Sequence, residues 1–306
     1  MAVVDVSQLS YRYGTRTALN ELQFSVPEGA LYALLGPNGS GKTTLLQILM
    51  GLRRASAGRI SLLGVDTAAL TLRDRARIGY IAEGQSLPGW MRLGQLERYL
   101  APLYGTWDAA LATDLRERFE LDPRQVIGTL SRGQHMKAAM LCALAPRPKL
   151  LLMDEPFTGM DALVKDELVR GLLESSGTEG WTVLLCSHDI GELEALADWV
   201  GYLDAGSMQL SETMDALHAR FKHVEIVFAG PDASRAQPAG SDWISMERAG
   251  PLLTGIVSTV ESGALAQRLA AHHPTATRID IRRATLREVF VALARKSALS
   301  RRGVAA

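Results

Sequence analysis

Cysteine is almost absent: the chain has two, Cys142 and Cys186, in 306 residues. Neither belongs to a C-x-x-C pair or a ligand-spaced cluster, so a disulfide framework and a cysteine-built zinc site are not expected, and a reducing compartment fits. Both lie in apolar runs, where a small buried residue is at home. A surplus of either charge is missing too. Lys plus Arg number 33 and Asp plus Glu number 33. A general nucleic-acid binder would show a basic excess, so no nucleic-acid partner is expected. Long apolar runs are also lacking, since none approaches the ~18 residues of a membrane span. MAVVDVSQLS at the start has no basic stretch followed by an apolar one, and no secretory leader is expected. Repeats, low-complexity tracts and heptad runs are absent. A soluble, cytoplasmic chain follows as the expectation.

Composition supports a substantial core, with 47% hydrophobic and 22% charged residues. The length is a prior for two domains. Leu22, Phe24 and Val26 alternate with Gln23 and Ser25, as a half-buried strand does. ALYALLG (30–36) is an apolar run ended by glycine and predicts a buried strand, and KTTLLQILMGL (42–52) predicts a helix. RISLLG, RIGYIAE, KLLLMDE and WTVLLCSH add strands. Helices are expected near 93–104, 108–120, 131–145, 161–175 and 190–198. Buried strands alternating with helices predict an α/β core with a largely parallel sheet. The stretch 84–146 reads as a helical insertion. Past residue 220 the texture changes to strands near 223–230, 243–247, 252–260 and 277–283, with helices at 262–272 and 284–296. The domains expected are therefore 1–220 and a small α+β unit, 221–306. AGPDASRAQPAGSD is expected to be an exposed loop and SALSRRGVAA a frayed end.

GPNGSGKTT (36–44) fits G-x-x-x-x-G-K-[ST], with Gly36, Gly41, Lys42 and Thr43 at the defining positions and Pro37, Asn38, Gly39, Ser40 and Thr44 between and after them. A strand precedes it and a helix follows. Glycines let such a loop wrap a phosphate and turn N–H groups toward it at the positive end of the helix. Lys42 would reach the β- and γ-phosphates of ATP, and Thr43 would offer its hydroxyl to magnesium. A P-loop needs acids from a second strand end. KLLLMDEP (149–156) supplies Asp154, to hold the metal through its water shell, and Glu155, to polarise the attacking water.

A P-loop, then LSRGQ (130–134), then a strand ending in Asp-Glu, in that order, resembles the ATP-binding cassette ATPases. The resemblance covers residues 2 to 218 and implies a P-loop NTPase core: a mainly parallel sheet with antiparallel N-terminal strands and a helical insertion. It also implies that two cassettes pack head to tail, LSRGQ of one closing over ATP on the P-loop of the other. Ser131, Gly133 and Gln134 are then the expected contacts. Arg132 departs from the family's glycine; its side chain either points away from the phosphate or adds attraction to it. Tyr13, directly before Gly14, matches the aromatic that stacks on adenine, with Tyr11 as the alternative. FTGMD (157–161) matches the loop that crosses the dimer interface through Asp161, which would also serve as a helix N-cap. His188, after LLCS, resembles the switch histidine that contacts the γ-phosphate. A magnesium-sensing glutamine is usual at the end of the strand RIGYIAEGQ. Here that position falls on Glu83, with Gln85 two residues later; Glu83 is favoured. ATLREVFVAL (284–293) resembles the closing helix of exporter subunits that serve separately encoded membrane proteins. It also reads as a plain amphipathic helix, with Leu286, Val289, Phe290 and Leu293 on one face.

The resemblance therefore implies an ATPase on the inner face of the cell membrane. Its partners would be an integral membrane permease and a second cassette, identical or different. Leu87, Trp90 and Met91 in SLPGWM offer apolar side chains to such a permease. Two other readings stand beside transport: a cassette that drives mechanical signalling in a membrane complex, and a soluble cassette with no transport role.

Overall fold

In the computed structural model, which describes residues 1–160, 165, 168–169, 180–191, 193–194, 196–228, 242–259 and 262–303, the alternation of Leu22, Phe24 and Val26 belongs to an antiparallel hairpin. Its strands are β1 (Ala2–Tyr13) and β2 (Arg16–Pro27), in register at Val4–Val26, Val6–Phe24 and Leu9–Leu22. Leu22, Phe24 and Val26 are buried while Gln23 and Ser25 face water. The predicted apolar run forms β3 (Leu31–Leu35), and the helix after it is α1 (Lys42–Leu49). Next come β4 (Ala57–Leu62), which pairs antiparallel with β1, β5 (Val65–Asp66), the short α2 (Leu72–Arg75) and β6 (Ile78–Ile81). The first sheet has the order β2-β1-β4-β5.

The helical segment holds α3 (Leu93–Leu100), α4 (Ala109–Arg118) and α5 (Arg132–Leu144). Only a single bridge, Arg92 to Val126, interrupts its helical character. The chain returns to the core in β7 (Leu150–Asp154), β8 (Thr182–Ser187), β9 (Trp199–Asp204) and β10 (Ser207–Thr213). The second sheet runs β10-β9-β3-β8-β7-β6. The pairs β9–β3, β3–β8, β8–β7 and β7–β6 are parallel. Every residue of β3, β7 and β8 is buried, which is why their sequences are continuous apolar runs without alternation. The antiparallel hairpin, α1 and the parallel strands share one core, with Leu22, Leu45, Leu49, Leu152 and Leu184 in it.

The register of the parallel strands sets where the site forms. Leu35 lies opposite Ser187, Asp154 opposite Cys186, and Ile81 opposite Met153. The loops after β3, β6, β7 and β8 therefore leave the sheet side by side from its carboxyl edge, the usual place for a ligand in such a sheet.

The chain divides into two compact units, Met1–Asp189 with Leu196–Leu210, and Ile190–Ala195 with Ser211–Ala306. The second contains α6 (Met214–Arg220), β11 (Phe221–Phe228), β12 (Trp243–Ala249), β13 (Leu252–Ser258), α7 (Ser262–His272), β14 (Ala276–Arg283) and α8 (Leu286–Gly303). Its sheet is antiparallel, in the order β12-β13-β11-β14. Val224, Ile226 and Phe228 of β11 pack with Leu253, Val257, Leu265 and Leu269. Leu286, Val289 and Phe290 of α8 are buried, as the amphipathic pattern predicts, and Leu293 is half-buried.

Four expectations need correction or placing. The helix expected at 190–198 is absent among the described residues, which form turns there. Its acids serve other backbones: Glu194 accepts from the Leu286 N–H at the start of α8 (2.9 Å), and Asp198 from the Leu31 N–H (2.8 Å). The terminal stretch SALSRRG is helical, as the last turns of α8. The loop expected at 229–242 lies, apart from Asp242, outside the described residues, as does most of the helix expected at 161–175.

Candidate active site

Leu35 ends β3 and the chain turns at once. At Gly36 an added β-carbon would stand 2.2 Å from the Leu203 carbonyl oxygen, so no side chain fits. Gly41 precedes α1 with φ 114°, and a β-carbon there would meet Leu19 Cδ2 at 2.6 Å and the Ala18 carbonyl oxygen at 2.9 Å. Both defining glycines are thus demanded by sterics as well as by any ligand. The start of α1 has no side-chain cap and no acid in its first turn, which leaves its N–H groups and positive end for an anion. Lys42 is buried. Its Nζ donates to the Gly36 carbonyl (2.6 Å) and the Pro37 carbonyl (3.4 Å) and stands 3.4 Å from Glu155 Oε1.

Glu155 follows the last residue of β7 and is buried. Its φ of 47° is a left-handed conformation that a residue with a β-carbon rarely adopts. Its N–H donates to the Cys186 carbonyl of the adjacent strand (2.9 Å). Oε2 lies 2.8 Å from His188 Nδ1, and accepts from the His188 N–H (3.3 Å) and the Thr158 hydroxyl (3.4 Å). Lys42, Glu155 and His188 thereby form one connected chain of charged and polar groups across three strand ends. His188 keeps 45% of its side chain exposed, so the chain opens to solvent at that end.

Asp154 is 1% exposed, and neither carboxylate oxygen has a hydrogen-bond partner of good geometry. Burial pushes its pKa up to about 6. The nearby Thr43 hydroxyl and Lys42 favour the charge, while Glu155 and Glu83 oppose it. Burial and then the Asp154 charge push the Tyr80 phenol up to about 12. This pocket of excess negative charge fits a cation. Among the described residues no three His, Cys, Asp or Glu side chains converge as a metal cage. Magnesium takes one or two protein ligands and fills the rest of its shell with water and phosphate oxygens. Exposed Thr43 and buried Asp154 are the residues that would hold it.

Glu83, just past β6, is exposed and adds its field to Asp154. Gln85 turns elsewhere. Its Oε1 accepts from the Ala82 N–H (3.2 Å), and the residue lines a cavity of 280 Å³ with Leu87, Leu96, Tyr99 and Tyr104. Tyr13, at the end of β1, shares a hydrogen bond with Thr44 (3.2 Å), which brings it to the P-loop helix. Its ring is 42% exposed and contacts Tyr11 edge-on at 4.9 Å, with the Arg53 guanidinium 4.9 Å from its centroid.

Ser131, Gly133 and Gln134 stand at the start of α5, outside the row of strand ends. Ser131 Oγ accepts from the Gln134 N–H (3.2 Å) and Gln134 Oε1 from the Ser131 N–H (3.1 Å), a reciprocal capping box. Gln134 thus shapes the helix start as its first task. Arg132 turns to its own chain and donates to the Gly159 carbonyl (3.2 Å). The expectation for Asp161 lies outside the described residues. The sequence reading missed the contacts of Thr158 and Arg132, which no local pattern announces.

The chain is similar to known proteins. The model of the ABC transporter family matches residues 19–158. The lantibiotic transport ATP-binding protein SrtF of Streptococcus pyogenes is 32% identical over 215 residues, which is 70% of this chain and 92% of that protein. The aliphatic sulfonates import ATP-binding protein SsuB of Pectobacterium atrosepticum is 37% identical over 214 residues, 68% of this chain and 76% of that protein. A solved ATP-binding subunit of an ABC transporter superposes with a TM-score of 0.65 and 28% identity, over 71% of this chain and 92% of that one.

Proposed function

This chain belongs to the ABC transporter family and is an ATPase of it, and on that premise we propose that it powers an integral membrane permease by closing head to tail on a second cassette with ATP between them. The observation that carries the reading is the Lys42–Glu155–His188 chain at the carboxyl edge of the parallel sheet. ATP would lie along the loop 36–44, its phosphates on the uncapped N-terminus of α1 and its γ-phosphate beside the Lys42 ammonium. Tyr13 is the surface for adenine. Glu155 takes the proton of the attacking water. His188 orients Glu155 through Nδ1 and meets the γ-phosphate with its outward edge. Thr43 and Asp154, with Glu83 beyond them, would hold magnesium, which would supply positive charge against the phosphates. Ser131, Gly133 and Gln134 at the start of α5 face the nucleotide of the partner cassette, where the field of a helix N-terminus favours the γ-phosphate. The resemblance to the family assigns Asp161 to the same interface.

The permease would dock on the helical segment. Trp90, 82% exposed beside it, supports that reading. The chain then works as a peripheral protein on the inner face of the cell membrane, with the second unit as an accessory domain and no nucleic-acid partner. Among the described residues no helix is long and apolar enough to cross a membrane. Export is the direction favoured by the resemblance of 284–293 to the closing helix of exporter subunits.

Glu155→Gln tests the catalytic assignment. ATP affinity should be retained, while turnover falls by about 10²-fold or more in a steady-state phosphate-release assay. Hydrolysis at the unmodified rate would remove Glu155 from its role.

A further inference from the structure

The second unit carries a hollow of its own, about 430 Å³ in volume, within the range of small-molecule sites. Glu212, His218 and Arg220 line it from the β10–α6 segment, Lys222 from the start of β11, Thr259 from the chain after β13, and Arg283 from the end of β14. None of these residues takes part in the nucleotide machinery.

Basic groups converge there from separate elements. The ladder between β11 and β14 sets Lys222 directly opposite Arg283. Burial, and then the Arg283 charge, hold the Lys222 ammonium below its usual pKa range. Lys222 gives one hydrogen bond to the His218 carbonyl (2.8 Å), which leaves two of its three N–H donors. Arg220 Nη2 meets Glu212 Oε1 at 2.9 Å, but its Nε is buried with no partner, and so is His218 Nδ1. Asp215, the other acid on the lining, is exposed in the first turn of α6. Arg220 thus pairs its charge with Glu212, whose buried Oε1 has no hydrogen-bond partner of good geometry, while Lys222 and Arg283 repel each other.

A fold does not keep buried donors unsatisfied and like charges adjacent without cost. An oxyanion in the hollow would offset the repulsion between Lys222 and Arg283. Donors arriving from three directions suit a tetrahedral anion better than a planar carboxylate, which is matched by one fork. We propose that this hollow binds a phosphate-bearing ligand, its oxyanion held by Lys222, Arg283 and the guanidinium of Arg220, with the remaining volume taken by the rest of the molecule.

Hydrogen–deuterium exchange on the full chain tests this, with millimolar inorganic phosphate in one arm and phosphatidylglycerol vesicles in another. Exchange should slow over 214–222 and 278–283 in at least one arm. Protection by phosphate assigns a soluble ligand, and protection by vesicles alone assigns a lipid headgroup. Arg283→Met, at an exposed side chain whose removal leaves the core untouched, should raise the half-saturating concentration about tenfold. Lys222→Met should do the same. The effect should persist in Lys42→Ala, which separates it from phosphate at the P-loop. Unchanged exchange at 214–222 in both arms, or protection that survives both Arg283→Met and Lys222→Met, would overturn the proposal.

Discussion

Glu155 holds a left-handed backbone that costs strain, and its surroundings explain why the strain persists. The N–H is fixed by the Cys186 carbonyl, and Oε2 is held by His188 and Thr158. The carboxylate is thereby aimed before any substrate arrives. His188→Ala should release that aim, and with it one γ-phosphate contact, while leaving the loop 36–44 intact. The expected result is a kcat lowered by about 10²-fold with little change in ATP affinity, whereas Lys42→Ala should weaken nucleotide binding itself. Steady-state kinetics beside direct nucleotide titration separates the two. At this scale the loop 36–44, Asp154, Glu155 and His188 were legible because each motif is contiguous. The Ser131–Gln134 capping box was legible too, as an S-x-x-Q pattern at a helix start. The destination of Arg132 was not legible, because its acceptor is the Gly159 carbonyl, 27 residues away and brought near by the fold.

Elements show what local patterns can and cannot specify. The T-x-x-E at the start of α8 became a full capping box: Thr285 Oγ1 accepts from the Glu288 N–H (3.3 Å), and Glu288 Oε2 from the Thr285 N–H (2.9 Å). Arg282 adds an ion pair to the same carboxylate, with Nη1 2.9 Å from Oε2. The hydrogen bond from Arg282, and then those from Thr285, draw the Glu288 pKa from 4.5 down to about 2. A lowered acid pKa stabilises the fold above the unfolded value and stops doing so as pH falls through the folded one. Glu288 should therefore contribute fully above pH 4.5 and nothing below about 2. Its side chain is 29% exposed, which reduces the contribution to about 1–2 kcal/mol. Denaturant unfolding of Glu288→Gln against the unmodified chain should give that difference near neutrality, and the two curves should converge at the acid end. The helix expected at 190–198 failed for the converse reason. Glu194 and Asp198 look like helix-surface acids in sequence, but tertiary partners claim them. The strands β9 and β10 escaped notice because they follow that misread stretch.

For the whole molecule, the central expectation is association. If Ser131 closes over the γ-phosphate of a second, identical copy, Glu155→Gln should shift from monomer to dimer with Mg-ATP on size exclusion. Ser131→Arg in that background should restore the monomer. A chain that binds ATP and never dimerises requires a different cassette, or the permease, to complete the site. The largely parallel sheet was readable from the apolar runs, as were the strands of the second unit, though not their antiparallel order.

The alignment of the parallel strands has a consequence for how the protein fails. Asp154 ends β7, and Glu155 and His188 follow strands that are locked at Leu35–Ser187 and Asp154–Cys186, so the relative positions of these three are a property of the ladder and of no single loop. Heat or denaturant should not produce a partly competent enzyme with one group astray. Loss of turnover and loss of amide protection in β3, β7 and β8 should come as one event, at one midpoint.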